Sequence, residues 1–274
     1  MKRVKPLLPL LFFLAAAFLF GGCSRGPDAG VLLREAKSDA AAIRSCDAGI
    51  SRTLVFTADG AQHAVSSSNQ ITYTAEPFAL KSVQQNRDDS MDSTAETYTV
   101  TENGKLWFYC KPNGVWQKTE AGNLDTSPAA QVDLLRILSR SEDQKYVRET
   151  AIDARKVHKI ELKLTNEVLR DTVENIVTVT GMSKGSGTVI QTLLDSAPDL
   201  YGYCYLDAET GQLVKMEADL TDAANQIFQK IDGSSVSVHV IKCELSGNIS
   251  KIDSAPAAAL PDDAKNASSV QAYG

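Results

Sequence analysis

The side chains that could do chemistry in this chain are five cysteines, three histidines and a close set of aspartates. A zinc site gathers several thiolates or imidazoles at set spacings, and a catalytic nucleophile needs a base beside it. His63, His158 and His239 stand singly, in neither an HExxH nor an HxH arrangement. Cys46, Cys110, Cys204 and Cys243 are separated by 64, 94 and 39 residues, so no CxxC pair exists to begin a zinc finger. In an exported chain these four could close two disulfides in any of three pairings, or they could serve as small apolar core residues. No GxSxG elbow is present. Gly185-Ser186-Gly187 is not followed by the lysine of a phosphate-binding loop and reads as a flexible connector. Asp88, Asp89 and Asp92 lack the order of a calcium loop and read as a solvated turn. His158 and His239 fall in alternating segments and read as structural or exposed. No enzyme, metal or cofactor is expected from these residues.

Cys23 is a different case. Lys2, Arg3 and Lys5 precede an apolar run from Leu7 to Phe20, and Gly21-Gly22 supply the small residues a signal peptidase needs. A cysteine directly after them resembles the end of a bacterial lipoprotein signal. That resemblance implies diacylglycerol on the Cys23 thiol, cleavage before it, and a chain held at the extracytoplasmic face of a membrane. The alternative, an uncleaved membrane helix, has only the sixteen residues from Leu7 to Gly22, short of the ~20 needed to span a bilayer. Residues 1–22 therefore read as signal peptide and 23–30 as a Ser/Gly/Pro-bearing tether.

Loss of residues 1–22 removes three basic groups and leaves 25 basic against 34 acidic side chains, a net charge of −9. An acidic chain is poorly suited to nucleic acid, where binding depends on neutralising phosphates. It is equally unsuited to a polybasic hold on anionic lipid, so membrane contact is expected from the anchor alone.

Periodicity supplies the elements that must position any site. Leu32, Ala36, Ala40, Ile43 and Ile50 recur at helical spacings, with Asp28 as N-cap and Gly49 as stop, which predicts a helix over 31–48. Leu54, Phe56 and Ala58 then alternate with Thr53, Val55 and Thr57 before an Asp59-Gly60 turn. Ile71, Tyr73 and Ala75 alternate in the same way. Residues 94–119 read as a three-stranded meander punctuated by Asn103-Gly104 and Asn113-Gly114. Ser127 and Pro128 open a helix over 128–140. Ile160, Leu162 and Leu164 alternate with Lys159, Glu161 and Lys163, and Thr165 opens a further helix over 165–179. Strands return at 201–207, 212–220 and 235–245, and a loosely ordered tail is expected from Ser254.

Strands with one apolar and one charged face belong to an antiparallel sheet covered on one side. The expected fold class is α+β: a large, curved antiparallel sheet, an unclosed half-barrel, with helices packed on its concave face. By strand parity Ile160, Leu162, Leu164, Val214, Met216 and Leu220 are the candidate lining of a ligand cavity under those helices. Tyr201, Tyr203 and Tyr205 share one strand face, as do Trp107 and Tyr109. Such stripes serve sheet packing or line a cavity.

Three motifs resemble a known family. Residues 109–118 read Y-x-K-x-x-G-x-W-x-K, residues 207–216 form a strand–turn–strand DAETGQLVKM, and Leu260-Pro261-Asp262-Asp263-Ala264 stands near the end. With the signal and the order of elements, the chain resembles the bacterial lipoproteins of the LolA/LolB/LppX-like superfamily, in particular a Gram-positive lipoprotein family. The resemblance implies a half-barrel domain over 31–253, a tail over 254–274, and an apolar cavity able to hold acyl chains. It supplies no catalytic residue. The function expected is a non-enzymatic, membrane-anchored lipoprotein that binds or carries a lipid or other amphipathic ligand. The alternative is a structural or partner-binding envelope lipoprotein whose concave face is filled by its own helices.

Overall fold

The computed structural model describes residues 26–181, 187–229 and 237–270. Two runs of consecutive antiparallel strands build a single sheet. The first run is β1 (Ser45–Ala58), β2 (Ala61–Thr74), β3 (Ala79–Arg87), β4 (Asp92–Glu102), β5 (Lys105–Cys110) and β6 (Gln117–Glu120). The second is β7 (Glu142–Ile152), β8 (Arg155–Leu164), β9 (Leu200–Asp207), β10 (Leu213–Asp219) and β11 (Val238–Ser250). The runs join where β1 pairs with β11, and a two-residue β12 (Ser268–Ser269) adds to β6 in parallel. The resulting twelve-stranded sheet curves without closing, with β12 and β7 at its edges.

Tight turns explain why neighbours in sequence are neighbours in space. Asp59 and Gly60 between β1 and β2, and Asn103 and Gly104 between β4 and β5, all have positive φ. Two such residues in succession twist the chain in the sense that flanking strands need.

The helices lie on the concave face. They are α1 (Ala29–Ala42), α2 (Pro128–Gln131), α3 (Asp133–Arg140), α4 (Arg170–Val179), α5 (Gly187–Asp195) and α6 (Thr221–Gln229). Asp28 caps α1 by accepting from the Gly30 and Val31 N–H groups at 2.8 and 3.2 Å. Leu33, Leu134, Leu138, Ile176 and Ile227 bring one face of each of four helices into a core shared with Ile50, Phe56, Ile160, Leu162 and Leu245 of the sheet. Full burial of each such side chain stabilises the fold by roughly 1.5–3 kcal/mol. This is the α+β, open-sheet class expected from the alternation.

Several boundaries differ from the periodic reading, and each for a physical reason. The first helix stops at Ala42, and Gly49 lies inside β1. Ile43 and Ile50 fit a helical stripe, but Ser45–Ala58 is paired along both edges, and that hydrogen-bonding overrides the local pattern. The helix over 128–140 is two pieces, broken at Val132, whose backbone is extended (φ −114°, ψ 109°). The helix over 165–179 begins with a 3-10 turn over Asn166–Leu169. β7 carries a mostly polar sequence with Tyr146 as its one contact to the main core, as suits an edge strand that discourages further pairing.

The segment after Ser254, expected to be loosely ordered, follows a defined path as far as Val270. Ala264 is fully buried and packs with Tyr98, Tyr109 and Trp116 on the convex face of β4–β5, with Ala258, Leu260 and Ala267 beside them. A Lys111–Asp263 ion pair at 2.8 Å and the Val270 N–H donating to the Lys118 carbonyl fasten it. Aromatic side chains turned outward on those strands give the segment a second, smaller core to cover.

Candidate binding cleft

Inward-facing positions on β1 to β3 alternate in step, because register puts Ile50 opposite Asn69, Arg52 opposite Ser67 and Leu54 opposite Val65. The next strand continues the rows, with Gln84 opposite Asn69 and Asn86 opposite Ser67. Arg52, Ser67, Asn69, Gln84 and Asn86 thus form a polar floor on a face that is apolar elsewhere. Ser82 donates to the Asn69 side-chain oxygen at 2.7 Å, which fixes that amide within the floor.

Across from the floor stand α3, the 3-10 turn and α4. Asp133, Arg136 and Arg140 come from α3, and Glu167, Arg170, Asp171 and Glu174 from the turn and α4. Between floor and wall lies an open cleft of about 920 Å³. Its lining holds five arginines (52, 87, 136, 140, 170) and five carboxylates (88, 133, 167, 171, 174), so it carries no net charge.

Most of these charges hold one another. Arg136 meets Asp133 at 2.5 Å, and Arg52 reaches Asp133 at 3.7 Å and Asp171 at 3.2 Å. The Arg52 Nε is buried without hydrogen-bond geometry to any acceptor. Arg170 lies 2.8 Å from Glu167 and 3.8 Å from Glu174. The hydrogen bonds from Arg170, with added pull from the charges of Arg170, Arg140 and Arg136, hold the Glu167 carboxyl below the usual carboxylate range. Such an array offers donors and acceptors to a ligand but sets no nucleophile beside a base.

The candidate apolar lining has another environment. Ile160, Leu162, Leu164, Met216 and Leu220 are 0–5% exposed and belong to the main core under the helices. Val214 is half-buried, at an irregularity in the β9–β10 pairing between Leu213 and Lys215, and lies outside that core. Leu220 borders a void of about 20 Å³, and Leu164 the rim of an open depression of about 370 Å³ shared with Arg140, Lys163 and Glu167. The helices therefore fill the apolar face, and the large opening is polar. Periodicity missed the floor because Ser, Asn and Gln at inward positions look like solvated strand ends until register stacks them.

The other residues singled out from sequence are separated by the fold. Asp88 closes its own turn by accepting from Ser90 and Met91, Asp89 takes His63 Nδ1 at 2.9 Å, and Asp92 pairs with Arg87. His158 lies tilted against the Tyr146 ring, with centroids 5.8 Å apart, and His239 is exposed. Cys46, Cys110, Cys204 and Cys243 are free thiols and not disulfides; three are buried, and burial pushes the Cys46 and Cys204 thiols up to about 12. Tyr201, Tyr203 and Tyr205 point to the convex side, away from the cleft, with Lys159 3.7 Å from the Tyr203 ring centre. Cys23 and Gly185-Ser186 lie outside the described residues.

Comparison with known proteins gives structural neighbours only; no family model and no curated protein matches the chain. LprF from Mycobacterium bovis is similar over 87% of this chain and 98% of its own, at 12% identity and a TM-score of 0.46. The Mycobacterium tuberculosis lipoprotein LppX is similar over 82% and 96%, at 13% identity and a TM-score of 0.40. An outer membrane lipoprotein-sorting protein domain from Vibrio parahaemolyticus is similar over 80% and 88%, at 7% identity and a TM-score of 0.23. They include proteins of the kind that the sequence motifs resemble. At these identities and overlaps the likeness carries no weight for function, which rests on the geometry of the chain itself.

Proposed function

We propose that the protein is a non-enzymatic binding protein, held at the extracytoplasmic face of a membrane through lipid on Cys23, whose cleft takes the polar part of an amphipathic ligand. The observation that carries this reading is the 920 Å³ opening between sheet and helices, a volume in the range of small-molecule sites. Its balanced charges and neutral Ser, Asn and Gln floor suit a hydroxyl-bearing, neutral or zwitterionic group better than a strongly anionic one. An acyl chain has no ready-made room among the described residues, so its binding requires α3 and α4 to move off the sheet.

That filled apolar face is also the observation that favours the second reading, an envelope lipoprotein that binds a protein partner and holds no small ligand. Native mass spectrometry of protein extracted from membranes separates the two. A co-purifying amphipathic molecule is expected on the wild type and is expected to be lost in Ser67→Trp, which fills the floor at its centre. Bare protein under every gentle extraction would sink the ligand-binding reading. A ligand retained in full by Ser67→Trp would move the site away from the cleft.

A further inference from the structure

The C-terminal segment is held firmly at its root and lightly along its course. Asp253 ends the main body. Its N–H donates to the Ser45 carbonyl at 2.7 Å, and its carboxylate accepts from the Arg44 and Ser45 N–H groups at 2.7 and 3.4 Å. Lys251 and Asp253 have positive φ, 50° and 54°, and turn the chain out of β11. From Ala255 to Ala267 the backbone hydrogen bonds found among the described residues return to Lys251 or stay within the segment. Pro256 and Pro261 have no N–H to bond, so lifting this stretch off the sheet breaks little. Pairing with the sheet begins at β12, where Ser268 lies opposite Gln117 and Ser269 opposite Lys118, and the Thr119 hydroxyl donates to the Val270 carbonyl at 3.0 Å.

The surface beneath is selective for what lies on it. Ala264 is fully buried with Tyr98, Tyr109 and Trp116 around it, a site filled by a methyl group. Lys81 is paired with Glu96, Lys105 with Glu120 and Lys118 with Glu102, all within the sheet. Lys111 is the one lysine of this group, among the described residues, whose carboxylate comes from the segment, Asp263 at 2.8 Å. The Trp116 Nε1–H is buried and faces the same carboxylate without hydrogen-bond geometry. The short edge strand β6 then offers its backbone to an extended chain, a common way of seating a peptide. The seat therefore asks for a carboxylate, a small side chain next to it, and an extended run farther on. Residues 263–270 of this chain meet all three.

A second copy carries the same sequence on an arm of its own. Ser254 to Ala259 form a spacer of six small residues, a reach of about 20 Å in extended chain. We propose that residues 254–270 are an exchangeable arm, which the seat on β4–β6 takes from a second copy of the chain, so that two copies pair by trading arms. Each contact of the closed form is remade between chains, with Asp253 as the pivot. The short spacer gives a chain's own arm an effective concentration of about a millimolar. Exchange therefore grows with crowding and with any loss of the pair at Lys111.

The test mixes isotopically heavy and light full-length chains and joins adjacent amines and carboxylates with a zero-length carbodiimide. Linked peptides across positions 111 and 263, one heavy and one light, report a traded arm. In wild type this mixed pair is expected as a minor product that rises with protein concentration. Lys111→Glu and Asp263→Lys each set like charges together in the closed form, yet complement one another between chains. Their mixture is expected to give several-fold more dimer by native mass spectrometry than either variant alone. Both changes in one chain restore the closed ion pair and are expected to return the dimer to the wild-type amount. Linkage only within single chains, at every concentration and in the mixture, overturns the exchange. Mixed pairs confined to the variants make it a product of the reversed charges and overturn it as well. A dimer whose chains are not joined across positions 111 and 263 places the interface elsewhere and overturns the arm.

Discussion

Arg52 sits at an inward position of β1, between Ile50 and Leu54, which are both 4% exposed or less. A guanidinium in that row survives because Asp133 and Asp171 reach it from the opposite wall. Asp207 shows the same logic on a turn. Its side chain is 10% exposed, accepts from the Glu209 and Thr210 N–H groups at 2.9 and 2.8 Å, and lies 3.3 Å from Arg155. Burial opposes its ionisation, yet these hydrogen bonds and the Arg155 charge overcome it and hold the carboxyl below its ordinary value. A depressed carboxylate contributes stability above its unfolded pKa, and that contribution is lost as pH falls through the folded value. Asp207→Ala is thus expected to cost about 2 kcal/mol at neutral pH. Urea unfolding should show the gap to wild type shrinking once the buffer is acid enough to protonate Asp207. A gap of equal size in acid and at neutral pH would remove the linkage.

At the scale of elements, α3 is the piece that closes the concave face and at the same time walls the cleft. It can lie close to the sheet because Gly247 of β11 has no side chain there. A Cβ at that position would meet the Gly49 carbonyl oxygen and Leu134 Cδ2, each at 2.6 Å. Gly247→Ala is expected to lift α3 and destabilise the fold by about 1–3 kcal/mol, as overpacking does, and chemical denaturation measures it. Unchanged stability would mean that the helix adjusts freely. Much at this scale was legible in the sequence: the Asn103-Gly104 hairpin, the alternation of β8, the Pro128 helix start and the α+β class all follow from local pattern. What was not legible depends on partners far away in the chain. The first part of β1, from Ser45 to Arg52, becomes strand because two other strands need it, and α6 follows Leu220 without a periodic stripe long enough to announce it. The polar floor exists only once β1, β2 and β3 are in register. The apolar residues chosen by parity did fall under the helices except Val214, where an irregularity shifts the phase.

For the whole molecule, the C-terminal segment makes one side of the sheet a second, separate packing surface. Both tryptophans of the chain border it: Trp116 is 6% exposed and Trp107 packs alongside. Ending the chain at Asp253 is expected to expose both indoles and uncover Tyr98 and Tyr109. Tryptophan emission should shift to the red while the main core, on the opposite face, keeps its far-ultraviolet signal. An unshifted emission would show that the segment does not cover these rings in solution.

The seam between β1 and β11 carries a further consequence, in time and not in space. Asp47 pairs with Ser250 and Ala58 with Val238, so the first strand made is completed by one of the last. A chain delivered N-terminus first keeps one side of β1 bare until nearly all of it has arrived. Contacts of such long sequence separation make folding slow. The central seam therefore closes late, only after most of the chain has been made, and until then β1 offers an unpaired edge.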